Sequence, residues 1–327
     1  MTQPKTHISI GEHEWASMSE AHRFSHKAMA TTFEIFIVHA DSQYAAQAAR
    51  AAFDELDQLE AELSRFIENS DISRINNLTA NQPLLIGLSA FECLQLSVRI
   101  CAETNGAFDI TIGSLMDCWV GGDKAGRSPS KERLNIARQQ TGLHLIELDE
   151  AQHTVTLQTS PIQADLGGIG KGYAIDQMAG LLRDWSIDSV LIHGGYSSVL
   201  ALGAPPGTKG WPITLSNPGN HKQILAYISL RDRALSGSGL QKGRHIIDPR
   251  SGQPVDGKIA TWACAPTAVT ADALSTAFMV MSPDEVRQYC LHHSDTLAMI
   301  LVKQQNGKVP EDKVLRYGLW EESGILR

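Results

Sequence analysis

The chain has 327 residues, 43% hydrophobic and 20% charged, the balance of an ordinary globular protein with room for one large domain or two of common size. A net charge of −8 argues against nucleic acid as the main partner, though a local basic pocket stays compatible with it. Five cysteines, widely spaced and without a C-x-x-C pair, suggest neither a zinc site nor a disulfide framework.

Met1 to Trp15 is polar and lacks the apolar core of a signal peptide, and no run approaches the ~20 apolar residues of a membrane span. The expectation is a cytoplasmic protein without a membrane span. Residues 1–25 read as an N-terminal extension of little periodicity. Thr32 to Val38 reads as a strand with Phe33, Ile35 and Ile37 on one face. Ala49, Ala52, Phe53, Leu56, Leu59 and Leu63 make a helical stripe from about Ser42 to Phe66. Ser89 is placed to cap a second helix, with Phe91, Leu94, Val98 and Cys101 inward and Asn105-Gly106 as its stop. Phe108 to Leu115 is a short apolar segment, and Lys124 to Gly142 a polar surface excursion, helical from Ser130.

Two β-like runs, Thr154 to Leu157 and Ile162 to Leu166, lead into Gly167-Gly168-Ile169-Gly170-Lys171-Gly172. A helix follows, with Ala174, Met178, Leu181 and Leu182 on one face, then an apolar run from Ser189 to Ile192. Beyond His193-Gly194-Gly195-Tyr196 come short strands, with turns at Pro205-Pro206-Gly207 and Asn217-Pro218-Gly219. One helix is expected over Ala271 to Met281 and another near Ser282-Pro283. No repeat, low-complexity tract or clear linker divides the chain, so residues 26–327 read as one α+β domain with mixed sheets and flanking helices.

The glycine-rich turn between strand and helix is where backbone comes close to a ligand, and the helix N-terminus with Lys171 offers N–H groups and charge to an anion. Neither common phosphate motif fits. A Walker A loop needs Ser or Thr where Gly172 stands, and the dinucleotide fingerprint needs Gly where Tyr173 stands.

Asp272 and Thr276 are one helical turn apart, so both oxygens face the same way. A carboxylate with a hydroxyl suits a hard cation such as Mg²⁺. A D-x-x-x-T pair is commonly an exposed polar face, but Ala271, Ala273, Leu274 and Ala277 around it favour burial, where a carboxylate needs a partner or a metal. His245-Ile246-Ile247-Asp248-Pro249 leads into a turn, and a single histidine there is more often structural than catalytic.

Taken together these stretches resemble the ApbE family, the FAD:protein FMN transferases. Asp165 to Asp176 reproduces D-L-G-[GA]-I-[AG]-K-G-Y-A-x-D, Ala271 to Ala277 reproduces A-D-A-L-[SA]-T-A, and His245 to Gly252 follows H-I-[IL]-[DN]-P-x-[TS]-G. Weaker matches run in the same order over roughly residues 26–300. Met29-Ala30-Thr31-Thr32 stands for M-G-T-x, Ser64-Arg65-Phe66 for S-T-Y, and Gly106-Ala107-Phe108-Asp109-Ile110-Thr111 for G-x-F-D-P-T. Trp119 has a counterpart, Gly194-Gly195-Tyr196 stands for G-G-[DN], and Ser236-Gly237-Ser238-Gly239 resembles the family's S-G turn, with a shortened loop to His245. The departures are Ala30, Phe66, Ile110 and Tyr196. Many relatives also carry an N-terminal lipobox cysteine, and no cysteine precedes Cys93 here.

The resemblance implies an ApbE-like fold with FAD bound between the two halves of the chain as substrate. It implies Mg²⁺ held by Asp272, Thr276 and the Gly168 carbonyl, and flavin-nucleotide contacts from Met29, Phe66, Ala107, Phe108, Asp109, Asp165, Lys171, His245, Ile246 and Ser275. The expected reaction splits FAD, releases AMP and attaches FMN through a phosphoester to a Thr or Ser of a partner flavoprotein. Asp272, His245 and Lys171 are the expected catalytic residues, with the general base open between His245 and Asp272. An FAD pyrophosphatase and a non-catalytic flavin-binding protein are the alternatives. The family's target pattern, [ST]-G-A-[ST], is absent from this chain, so the acceptor is another protein.

Overall fold

The computed structural model describes residues 8–10, 21–120, 129–240, 245–304, 311–320 and 324–326. Gly243 and Arg244, in the shortened loop before His245, and the Lys124–Ser128 part of the polar excursion lie outside the described residues. In chain order the strands are β1 (Ile8–Ile10), β2 (Ala21–Ala28), β3 (Thr31–Val38), β4 (Leu84–Leu85), β5 (Ile146–Asp149), β6 (Thr154–Leu157), β7 (Val190–Gly194), β8 (Ser198–Leu202), β9 (Trp211–Asn217), β10 (Asn220–Leu230), β11 (Arg233–Gly239), β12 (Ile247–Asp248), β13 (Gln253–Pro254), β14 (Lys258–Ala265), β15 (Leu297–Gln304) and β16 (Glu311–Tyr317). The helices are α1 (Ser42–Leu63), α2 (Asp71–Asn76), α3 (Leu88–Glu103), α4 (Gly113–Val120), α5 (Lys131–Gln139), α6 (Gly170–Asp184), α7 (Ala268–Val280) and α8 (Pro283–His292). The class is α+β, with two compact units, the first from Met1–Asp57, Lys171–Gln241 and Gly257–Arg327, the second from Gln58–Gly170 and Lys242–Asp256.

The first unit is built on an eight-stranded antiparallel sheet in the order β16-β15-β14-β11-β8-β7-β3-β2. Side chains alternate between its faces, as the pleat requires. Val199, Leu235, Trp262 and Cys264 point to one face and pack with Trp211, Ile213, Leu215 and Ile228 of a second sheet, ordered β1-β9-β10. Ser198, Ser238 and Thr261 point to the other face and meet α7. Gly237 pairs with Trp262 across β11 and β14, and a Cβ at Gly237 would lie 2.6 Å from the indole ring. The glycine is the space the tryptophan needs. Thr267 caps α7, and Ser282 with Glu285 forms a reciprocal capping box on α8.

The second unit holds a small sheet ordered β4-β6-β5, the β12–β13 ribbon and helices α2 to α5. Leu115, Cys118, Ala137 and Ile247 form one of its apolar cores, so the ribbon packs on α4 and α5.

Several expectations change. Residues 21–25, read as extension, open β2, and Ile8 of β1, itself a strand of the second sheet, is fully buried in the apolar layer that this sheet shares with the large one. Ile162–Leu166 alternates like a strand but is irregular. Its backbone is satisfied elsewhere: Asn76 bonds both the N–H and the carbonyl of Ala164, Asp165 N–H reaches Ile110 O, and Gln163 O accepts from Gly113. Gly87, not Ser89, is the N-cap of α3, and the buried face runs through Ala90, Phe91, Cys93, Leu94, Ser97 and Ile100, leaving Val98 38% exposed. Phe108–Leu115 is a capped 3₁₀ turn entering α4. Ser236–Gly239 is strand β11 rather than a turn.

The β2–β3 hairpin closes on Met29 (φ 48) and Ala30 (φ 57), both left-handed, where such two-residue turns favour Asn-Gly. Ala30 is exposed, so its methyl contributes no core packing. Ala30→Gly is expected to stabilise the protein by about 0.5–1 kcal/mol in denaturant unfolding by relieving that strain.

Candidate active site

The first unit gathers the polar residues of the two most specific sequence stretches at the crossing of α6 and α7. Gly172 makes the crossing possible: a Cβ there would lie 2.3 Å from Ala268 O and 2.8 Å from Asp272 Cβ. This helix contact, rather than the approach of a ligand, is the geometric demand on that glycine. The closeness delivers Gly172 N–H to Asp272 Oδ2 at 3.1 Å. Lys171 Nζ donates to both Asp272 oxygens, at 3.3 and 3.1 Å, and Ser198 Oγ from β8 donates to Oδ1 at 3.1 Å. The Asp272 side chain is only 4% exposed and that of Lys171 22%. A carboxylate so enclosed meets a cation, a helix N-terminus and a hydroxyl together.

A hydroxyl network continues along α7. Ser238 Oγ lies 2.8 Å from Ser275 Oγ and 3.1 Å from Thr276 Oγ1. Ser275 Oγ donates to Asp272 O at 2.8 Å, and Thr261 Oγ1 donates to Ser275 O at 2.6 Å. Asp272 and Thr276 thus stand one turn apart on α7, each with a side-chain oxygen bonded to a serine of the large sheet. Among the described residues no group of three or more His, Cys, Asp or Glu is arranged to hold a metal. The oxygen pair fits a hard cation that retains water ligands, not zinc.

Asp176, on α6, accepts from Ala268 N–H and Val269 N–H at 2.8 Å each and so caps α7 from its neighbour. Burial pushes its carboxyl up to about 6, against the pull of the Val269 and Ala268 N–H groups and the Arg183 charge, with Asp272 adding a further upward push.

In the second unit the glycine loop begins at Asp165, whose Oδ1 accepts Gly167 N–H at 2.8 Å. Its Oδ2 lies 3.3 Å from Arg65 Nε, an ion pair without hydrogen-bond alignment. The Arg65 guanidinium lies over the Phe66 ring, 4.9 Å from its centroid, and Phe66 is 85% exposed. Gly168 precedes α6 in a tight turn in which Ile169 N–H and Gly170 N–H both reach Leu166 O. Ala107 and Phe108 are buried, and Phe108 N–H donates to Thr104 Oγ1. Asp109 Oδ1 accepts from both Thr111 N–H and Thr111 Oγ, and Oδ2 from Leu143 N–H. Burial raises the Asp109 carboxyl above the ordinary range, with those donors opposing. These bonds give Asp109 a capping role besides the flavin contact expected of it.

His245 is half-buried and Ile246 buried. The segment that carries them is pinned by Trp119 Nε1 to Gly252 O at 2.9 Å, by Arg138 to Ser251 O, and by the Ile247 packing. Asp248 accepts Arg250 N–H and Nε, making the turn.

The structure thus joins Lys171 and Ser275 to Asp272 directly and Thr276 to Ser275 through Ser238, places Met29 in the strained hairpin, and describes Phe66, Asp165, Ala107, Phe108, Asp109, Gly168, His245 and Ile246 within the second unit. Sequence reasoning left out Ser198, Ser238, Asp176 and Arg65. The period-2 alternation of β8 and β11 was the signal for the serines, and the terminal Asp of the glycine signature was the signal for Asp176.

Gly172→Ala should destabilise the fold by at least about 1–3 kcal/mol in denaturant unfolding, because backbone at Ala268 must move. For Asp176 the folded-state value lies above the ordinary one near 4, so its contribution to stability declines as pH rises from about 4 to about 6. Asp176→Asn cannot titrate. The stability of wild type relative to that variant should be greater at pH about 4.5 than at pH about 7.5, measured by urea unfolding at both.

The ApbE family profile matches residues 29–301. The FAD:protein FMN transferase of Klebsiella pneumoniae is 29% identical over 297 residues, covering 86% of this chain and 84% of that one. The Escherichia coli K12 protein of the same name is 26% identical over 277 residues, covering 80% and 79%. The crystal structure of the Pseudomonas stutzeri flavinyl transferase ApbE aligns with a TM-score of 0.81 and 25% identity over 93% of this chain and 96% of that one. With the glycine loop, the Asp272–Thr276 pair and the fold all in agreement, the chain belongs to the ApbE family.

Proposed function

We propose that this protein is an FAD:protein FMN transferase whose metal-dependent step is organised at the α6–α7 crossing. The observation that carries the reading is the part-buried Lys171–Asp272 pair, one helical turn from Thr276, in a chain whose curated relatives bear that name. Asp272 and Thr276 would hold Mg²⁺. The third ligand implied by the family pattern, the Gly168 carbonyl, stands two residues before α6 in sequence. When bound, the cation supplies charge neutralisation for a pyrophosphate, the main need in phosphoryl transfer.

The protein's own residues would do the rest. Lys171 complements phosphate charge beside the carboxylate. Phe66 offers an exposed ring face to the isoalloxazine, an aromatic contact worth on the order of 0.5–1.5 kcal/mol beyond area burial. Met29, Ala107, Phe108, Asp109, Asp165, His245, Ile246 and Ser275 complete the nucleotide contacts in this reading. The acceptor's Thr or Ser hydroxyl attacks the FMN phosphorus, the phosphoanhydride bond to AMP breaks, and AMP leaves with the bonding electrons. The hydroxyl proton must go to a base. Because Asp272 is committed to the cation in this reading, we assign that proton to His245.

The test is incubation with FAD and Mg²⁺, with and without an acceptor domain carrying [ST]-G-A-[ST], scoring AMP and protein-bound flavin. AMP and flavinylated acceptor appearing together is the expected result. AMP released at the same rate without acceptor would make the protein a pyrophosphatase, and neither product would leave a flavin-binding protein. Asp272→Ala should lower AMP release at least ~100-fold, and wild-type kinetics in that variant would refute the assignment.

A further inference from the structure

The Asp272 carboxylate has two oxygens, each with about two directions in which to accept. Ser198 Oγ and Lys171 Nζ take those of Oδ1, and Gly172 N–H and Lys171 Nζ take those of Oδ2. The carboxylate is full. A divalent cation that takes Asp272 as ligand must approach an oxygen to roughly 2.0–2.1 Å, which requires one of the present donors to yield.

The three donors differ in their freedom to do so. Gly172 N–H belongs to the backbone of α6, and its Cα is pressed so closely on Ala268 that no Cβ fits between them. Ser198 is fully buried on a central strand between β7 and β11. Lys171 alone has a flexible four-carbon stem, a partly exposed side chain and a positive charge. It is also the donor that a second cation would repel, since both would stand within a few ångströms in a largely enclosed site.

We infer that Lys171 and a divalent cation are alternative partners of Asp272, and that the cation's arrival releases the Lys171 ammonium to a phosphate group of the nucleotide. The inference rests on the reading that Asp272 is a metal ligand. An anion that draws Lys171 away opens the carboxylate to the metal, and a metal that takes the carboxylate frees Lys171 for the anion. By linkage each strengthens the other's binding. Lys171 therefore acts as the internal counter-ion of Asp272 and as the element that couples the metal to a pyrophosphate-bearing ligand.

The test is Mn²⁺ binding to the full chain without nucleotide, by titration calorimetry and by the free-Mn²⁺ resonance signal, for wild type, Lys171→Met, Lys171→Arg and Asp272→Asn. Lys171→Met should bind Mn²⁺ at least ~10-fold more tightly than wild type. Lys171→Arg, which keeps the charge, should stay near wild type, and Asp272→Asn should lose the site. Without Mn²⁺ the Lys171→Met protein should melt below wild type, and added Mn²⁺ should restore it, because the carboxylate then regains a partner. Lys171→Gln serves as the second neutral variant if Lys171→Met does not fold. Mn²⁺ affinity in both neutral variants equal to or weaker than wild type, with Asp272→Asn inactive in binding, overturns the exchange and leaves the metal reading standing. Asp272→Asn binding Mn²⁺ as wild type does removes the metal reading and the exchange with it.

Discussion

A carboxylate withdrawn from water must find charge and donors within the protein. Asp272 finds a lysine, a backbone N–H at the start of α6 and a serine on β8, and each of these fixes a different element. The lysine and the glycine are consecutive, so α6 must begin where it does. The crossing must be close enough for the N–H to reach, so residue 172 must lack a side chain. The serine must point toward the helix, so β8 must present its even-numbered face there. Asp176 then ties the first N–H groups of α7 back to α6, closing the arrangement from the far side.

Much of this was legible in the residues. Helical stripes marked α1, α3 and α6, and the burial of Asp272 follows from the alanines around it. The glycine loop announced a strand-to-helix junction, and its preceding strand was the misreading. Ile162–Leu166 alternates apolar residues, but alternation does not say whether a neighbouring strand exists, and here the Asn76 side chain takes the place of one. The cap of α3 was misread because Ser89 is the better capping residue by propensity, whereas Gly87 is fixed by Asp71 Oδ2, a contact 16 residues back. Ser198, Ser238, Asp176 and Arg65 escaped notice for a common reason. Their roles depend on what faces them across helices, strands and loops, so strand alternation and the terminal Asp of the glycine signature mark positions without naming the partners.

The second unit shows how substitutions relative to the family pattern are absorbed. Ser64-Arg65-Phe66 replaces the S-T-Y pattern, losing a phenol hydroxyl and gaining a guanidinium. The new cation is not left loose: Asp165 pairs with it on one side and the Phe66 ring lies against it. The aromatic ring and the start of the glycine loop are thereby joined through one side chain. Ile110 stands where the pattern has Pro, and the turn is still closed, because Asp109 caps it through Thr111 and Leu143.

The two faces of the strands in the large sheet also bear on how this chain avoids misfolding. Ser198, Ser236 and Ser238 alternate with Val199, Leu235 and Gly237, the first set turned to α7 and the second to the apolar layer. A slip of one residue in β8 or β11 would turn hydroxyls into the oil-like interior and leave valine and leucine facing a buried carboxylate. It would also place a Cβ where Trp262 requires none. The chemistry of the site and the fidelity of strand pairing thus draw on one alternating pattern. Ser198, which serves the carboxylate, is thus also one of the residues that fix the register.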